Sequence, residues 1–113
     1  MPTKFRLTRA DFKLFSSQKM RRVRSLFFMV VIAPLPIESV PKVACVVSKK
    51  VSRKATDRNR VKRQCRATLV PLISQVNQSV ALAFYANPAS NKATFEQLSK
   101  DINSFLHSNK FLE

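Results

Sequence analysis

Arg58, Asn59, Arg60, Lys62, Arg63 and Arg66 place six polar, mostly cationic side chains within nine positions, and Lys49, Lys50, Arg53 and Lys54 stand just ahead of them. Guanidinium groups make planar, bidentate contacts to phosphate, ammonium groups act as point charges, and the Asn59 amide can read a base edge or hold a hydrated metal ion indirectly. On a helix, a spacing of four sets Arg58, Lys62 and Arg66 in one line, with Asn59 and Arg63 on the adjacent ridge. Such a row can follow a phosphate backbone. Like charges at this spacing cost a helix roughly 0.2–0.5 kcal/mol per pair, and acids are too scarce here to lace the row with salt bridges. The row therefore reads as a nucleic-acid contact in preference to a solvated face.

The rest of the chain offers little chemistry of its own. His107 is the only histidine, the six acids are scattered, and Cys45 and Cys65 form no C-x-x-C pair, so neither an acid/base pair nor a zinc-ligand set is in view. The missing acid/base constellation speaks against a stand-alone nuclease, and no catalytic residues are expected. The two thiols read as small core residues of a protein in a reducing cytoplasm.

The 113 residues carry 21 Lys and Arg against 6 Asp and Glu, a net charge of +15, with 45% hydrophobic residues. One folded domain over residues 1–113 is expected, and its charge calls for a polyanion: nucleic acid first, an anionic membrane second. The cations are uneven, eight in residues 1–25, ten in 42–66 and three in the last 47, which leaves the final third structural. The longest apolar run, "SLFFMVVIAPLPI", is interrupted by Pro34 and Pro36 well short of the roughly 20 residues a membrane helix needs. The basic N-terminal segment resembles a transit peptide in charge, but its apolar residues look needed for the core.

Several elements must position the cations. "TRADFKLFSS" predicts a short helix with Thr8 as N-cap and Asp11 three residues on. "SLFFMVVIAP", "PKVACVVSKK" and "SVALAFYANP" read as strands. From Asp57 the period lengthens to 3.6, with Val61, Cys65, Leu69, Leu72 or Ile73, and Val76 on one face; Asp57 is the expected cap, and Pro71 should end or kink this helix near Val70. Arg21, Arg22 and Arg24 read as further nucleic-acid backbone contacts, with a solvated loop as the alternative. "TFEQLSKDINSFLH" gives a last helix behind a Thr94 cap, with Phe95, Leu98, Ile102, Phe105 and Leu106 at helical spacing. With no glycine in the chain, tight turns fall to Asn, Asp, Ser or Pro.

At this point the residues carry a resemblance. "VVSKKVSRKATDRNRVKRQCR" is similar to the R-N-R signature of the bacterial ribonuclease P protein family, a strand and Ser-Lys-Lys turn leading into R-N-R-x-K-R-x-x-R. "RLTRADFKLF", "KVACVVSKKV" and "NPASNKATFEQLSKDINSFL" resemble the family's first helix, its strand entering the motif, and its closing turn and helix. The chain departs from the family where Phe12 and Phe15 stand three apart instead of four, and where Gln18, Ala44 and Ser52 replace glycines.

The resemblance implies an α+β fold: a two-layer α/β sandwich with a four-stranded sheet and three helices in the order αβββαβα, a left-handed βαβ crossover, and a ribosomal-protein-like topology. It implies the cytoplasmic protein subunit of an enzyme that removes the 5′ leader from precursor tRNA. The partner would be a catalytic RNA that performs Mg²⁺-dependent hydrolysis and binds most of the Mg²⁺ itself. Lys49, Lys50, Arg53, Lys54, Arg58, Asn59, Arg60, Lys62, Arg63 and Arg66 would meet RNA, with Asn59 near a metal ion. Phe12 and Phe15, matching the family's helix aromatics, would line a cleft for the single-stranded leader, and Phe28 is the expected aromatic on the first strand. No membrane or small-molecule substrate is implied. The alternative is a ribosomal or RNA-chaperone-type protein on a similar fold.

Overall fold

The computed structural model describes residues 6–7, 20–36 and 38–112. Thr8, Asp11, Phe12 and Phe15, on which a first helix is expected, lie outside the described residues.

Four strands form one sheet: β1 (Arg21–Arg24), β2 (Phe28–Pro34), β3 (Lys42–Val46) and β4 (Val80–Ala86). Their order across the sheet is β1-β2-β4-β3. The β1–β2 and β2–β4 pairs are antiparallel and β3 runs parallel to β4. A parallel neighbour needs a crossover, and the helix α1 (Ala55–Ile73) provides it between β3 and β4. A 3₁₀ segment, Pro88–Lys92, then leads into α2 (Phe95–Ser108).

Strand alternation sorts the apolar residues. Phe28, Val30, Ile32, Val43, Cys45, Leu82 and Phe84 pack with Cys65, Leu69 and Ile73 of α1 and Leu98, Ile102, Phe105 and Leu106 of α2 in one core. Both helices therefore cover the same sheet face. Phe84 is central there, meeting Phe28 edge-on at 5.7 Å and Phe105 at 5.6 Å between ring centroids. The other face carries a smaller cluster of Leu7, Val31, Ala33, Ala81 and Ala83, with Met20, Ala44 and Tyr85 half-buried against it.

Three local expectations change. Arg21–Arg24 is a strand, not a loop: only Val23 turns toward the core, while three exposed arginines leave no apolar alternation to read and guard the sheet edge against pairing with other chains. The motif helix starts at Ala55, with Lys54 at the N-cap position, so Asp57 is not its cap. It also runs past Pro71 to Ile73. The carbonyl that loses its bond there belongs to exposed Ala67, where water can replace the missing amide. Tight turns begin at Ser25, Pro36, Ser48 and Asn87, as expected, while among the described residues positive φ falls to Glu38 (φ 70°) and Lys110 (φ 63°), residue types that pay steric strain there.

The last helix is as expected, except that Phe95 at its start is 46% exposed and takes no part in the core. Thr94 Oγ1 accepts from the Gln97 amide at 3.1 Å and Gln97 Oε1 accepts from the Thr94 amide at 2.9 Å, a reciprocal capping pair. Its Asp101 does more than the spacing reveals: the carboxylate is buried and accepts from Ser25 Oγ (2.8 Å), the Leu26 amide (3.1 Å) and the Phe27 amide (2.9 Å), fastening the β1–β2 turn to α2.

Candidate nucleic-acid interface

The cationic surface begins where β3 leaves the sheet. Val51 is buried and anchors the turn that follows, and its amide donates to the Ser48 carbonyl at 3.1 Å. This leaves Lys49, Lys50, Arg53 and Lys54 exposed around the anchor. Ser52 joins the turn to the helix: its hydroxyl accepts from the Lys54 amide (3.1 Å) and donates to Asp57 Oδ2 (2.9 Å). Asp57, the one acid in the stretch, thus serves as a fastener between turn and helix. From the other side Arg58 Nη1 donates to the carbonyls of Ser52 (3.0 Å) and Arg53 (2.9 Å).

Along α1 the buried face of Val61, Cys65, Thr68, Leu69 and Ile73 fixes which side chains point outward. Asn59, Arg63 and Arg66 are exposed, whereas Arg58, Arg60 and Lys62 are half-buried. Arg60 reaches sideways: Nη2 donates to the Asn91 carbonyl (2.6 Å) and to Asn91 Oδ1 (3.0 Å), and Nη1 to Gln64 Oε1 (3.4 Å). All ten side chains expected at the interface are thus on the turn or on the first three turns of one helix. Seven of them are exposed: Lys49, Lys50, Arg53, Lys54, Asn59, Arg63 and Arg66.

Beneath the surface, Cys45 of β3 and Cys65 of α1 share a buried thiol hydrogen bond, 2.7 Å between sulfurs. Burial, with a smaller contribution from the Cys45 thiol, pushes the Cys65 thiol well above its ordinary 9.0; nearby Arg66 opposes this weakly. Both cysteines are free and buried in the core, as expected.

Phe28 is a correction. It is 1% exposed and packs on Phe84 beneath the helices, because the alternation of β2 turns it to the core. It presents no face for a base. Its neighbour Met29 lies on the opposite sheet face, where Met20, Arg22, Met29, Val31 and Tyr85 line a concavity of about 340 Å³. Tyr85 of β4, the chain's only tyrosine, is a half-buried aromatic on that face. The strand period could have found it, since its β-partner is Met29 and not Phe28.

Among the described residues, no group of three or more His, Cys, Asp or Glu side chains could hold a metal ion. No helix among them is long and apolar enough to cross a membrane.

The arrangement has close counterparts. The chain superposes on the ribonuclease P protein of Staphylococcus aureus with a TM-score of 0.82 at 22% identity, covering 96% of this chain and 98% of that one. The ribonuclease P protein of Thermotoga maritima gives 0.76 at 19% identity, covering 91% and 96%. In sequence, the ribonuclease P protein component of Pseudanabaena sp. is 35% identical over 71 residues, which is 63% of this chain and 61% of that relative. The chain thus spans about three fifths of that relative's length. The family model for ribonuclease P matches residues 1–110. With that match over nearly its whole length, the chain belongs to the ribonuclease P protein family.

Proposed function

We propose that the chain is the protein subunit of a bacterial-type ribonuclease P, which removes the 5′ leader from precursor tRNA in the cytoplasm while its RNA subunit performs the hydrolysis. The observation that carries this reading is the joining of the turn at 48–54 to α1 through Ser52, Asp57 and Arg58, which makes two separate cationic segments a single surface. Exposed Arg63 and Arg66 on the helix, with Lys49, Lys50, Arg53 and Lys54 on the turn, suit the phosphate backbone of a folded RNA. With this function goes the family's remaining architecture, a first helix over residues 8–17 and a left-handed connection from β3 through α1 to β4.

The leader is assigned to the sheet face away from the helices. Tyr85 supplies an aromatic ring there beside Met29 and Arg22, and Phe12 and Phe15 are the further candidates for stacking. Stacking of a base on such a ring is worth about 1–3 kcal/mol in single-strand binders. Mg²⁺, when bound, neutralises phosphate charge and activates the attacking water. The exposed Asn59 amide and the half-buried Asp57 carboxylate are oxygen donors of the right kind at the motif, but Mg²⁺ needs six ligands. The protein would therefore act on Mg²⁺ through water and RNA phosphates, with Asn59 orienting the hydrated ion.

The test is reconstitution with a bacterial-type catalytic RNA. Leader cleavage should persist at Mg²⁺ concentrations where the RNA alone has become inactive. An unchanged Mg²⁺ requirement, with RNA binding intact, would instead identify a ribosomal or chaperone-type RNA-binding protein.

A further inference from the structure

We propose that Arg60, supported by Arg58, is a positioning residue of the interface: its guanidinium is engaged with the protein itself and holds the RNA-facing side chains in a fixed array. This rests on the function proposed above. Within the R-N-R triplet the two arginines would then serve a different purpose from the asparagine between them.

The geometry separates the cations into two groups. Arg63 and Arg66 are exposed and make no hydrogen bond among the described residues, so their donors face outward. Arg60 is half-buried and uses both terminal nitrogens, Nη2 on the carbonyl and the side chain of Asn91 and Nη1 on Gln64. Asn91 lies 31 positions away, in the 3₁₀ segment between β4 and α2. Arg60 therefore ties the first turns of α1 to a second element, as Arg58 ties them to the basic turn. Asn59 sits between the two ties, exposed, on a stretch of helix that can neither rotate nor fray without breaking one of them.

The residue type fits this role. A guanidinium presents five donors in a rigid fork, enough to meet a carbonyl, an amide oxygen and Gln64 together. An ammonium on a flexible stem keeps the charge but not the fork. A single-point contact to phosphate keeps its charge when lysine replaces arginine, whereas a clamp on three acceptors loses its geometry.

Arg60→Lys, Asn91→Ala and the double variant would be compared with wild type in the complex with the catalytic RNA, after thermal melting confirms that each folds. Arg60→Lys is expected to weaken RNA binding about tenfold, the size of one lost charge-assisted hydrogen bond. Its salt dependence should keep the wild-type slope, since no phosphate contact is lost. At saturating protein it should also raise the Mg²⁺ concentration at half-maximal cleavage in the same direction as Asn59→Ala, a change that reduced fold stability alone would not cause. The double variant should be no weaker in RNA affinity than Arg60→Lys alone. Wild-type affinity for Arg60→Lys, or additive losses in the double variant, would overturn the proposal. Failure of the wild-type protein to lower the Mg²⁺ requirement would overturn the ribonuclease P reading instead, and the Arg60–Asn91 coupling in RNA affinity would still decide the clamp.

Discussion

Replacing Asp101 with alanine would release the β1–β2 turn from α2, and the cost follows from its three hydrogen bonds. A hydrogen bond to a charged group contributes about 1.5–3 kcal/mol net, but the three are not equal here. Leu26 is 75% exposed, so its amide is rehydrated when the carboxylate goes. The Ser25 hydroxyl keeps its contact with the Phe28 carbonyl at 3.2 Å. The Phe27 amide, on a half-buried residue, has no such replacement. Removing a carboxylate that is only 7% exposed also relieves its own desolvation. The net loss should be about 2–3 kcal/mol for Asp101→Ala, and about 1–2 for Asp101→Asn, whose amide still accepts one bond while its NH₂ opposes another donor. Urea unfolding should show a lower midpoint at unchanged slope, with a melting temperature lower by roughly 8–15 °C. Amide exchange at Phe27 should accelerate in step. A midpoint within about 0.5 kcal/mol of wild type, with exchange unaltered, would mean that desolvation of the carboxylate cancels its bonds and that the turn holds itself.

Arg63→Ala and Arg66→Ala should each reduce the salt dependence of RNA binding by about one unit of slope, read from affinities at several salt concentrations; an unchanged slope would place that side chain in solvent. Tyr85→Ala and Phe12→Ala should weaken precursor tRNA with a long leader more than mature tRNA, and equal losses would assign the ring to packing. The raised Cys65 thiol favours the folded state while neutral, so its contribution is complete below the ordinary 9.0 and is lost as pH climbs from there toward the folded value. Melting temperatures from about pH 7 to 10 should therefore fall more steeply for wild type than for Cys65→Ala, and parallel curves would refute the linkage.

The candidate interface was legible because both of its signals are local. A helical period set Val61, Cys65 and Leu69 inward, which fixed Asn59, Arg63 and Arg66 outward, and the order of the polar residues identified the family. What stayed hidden is pairing across distance. Nothing near Arg60 in sequence announces Asn91, and Asp101 looks like an ordinary polar residue of α2 until the turn at Ser25–Phe27 comes to rest against it. Phe28 was misread for a related reason: which face of a strand is core depends on its neighbours, and only the register with β4 decides between Phe28 and Met29. β1 carried no pattern because an edge strand with one inward residue has none to show.

The lack of glycine acts mainly on the unfolded chain. A chain in which every residue bears a side chain has fewer disordered conformations, and each glycine avoided at a compatible site stabilises the fold by about 0.4–1 kcal/mol from that side of the equilibrium. The same stiffness is accepted as strain at Glu38 and Lys110. In the turn that delivers Lys49, Lys50, Arg53 and Lys54, it means that the cations ride on a backbone with little latitude of its own, so an RNA that meets them must fit their spacing and cannot remould it.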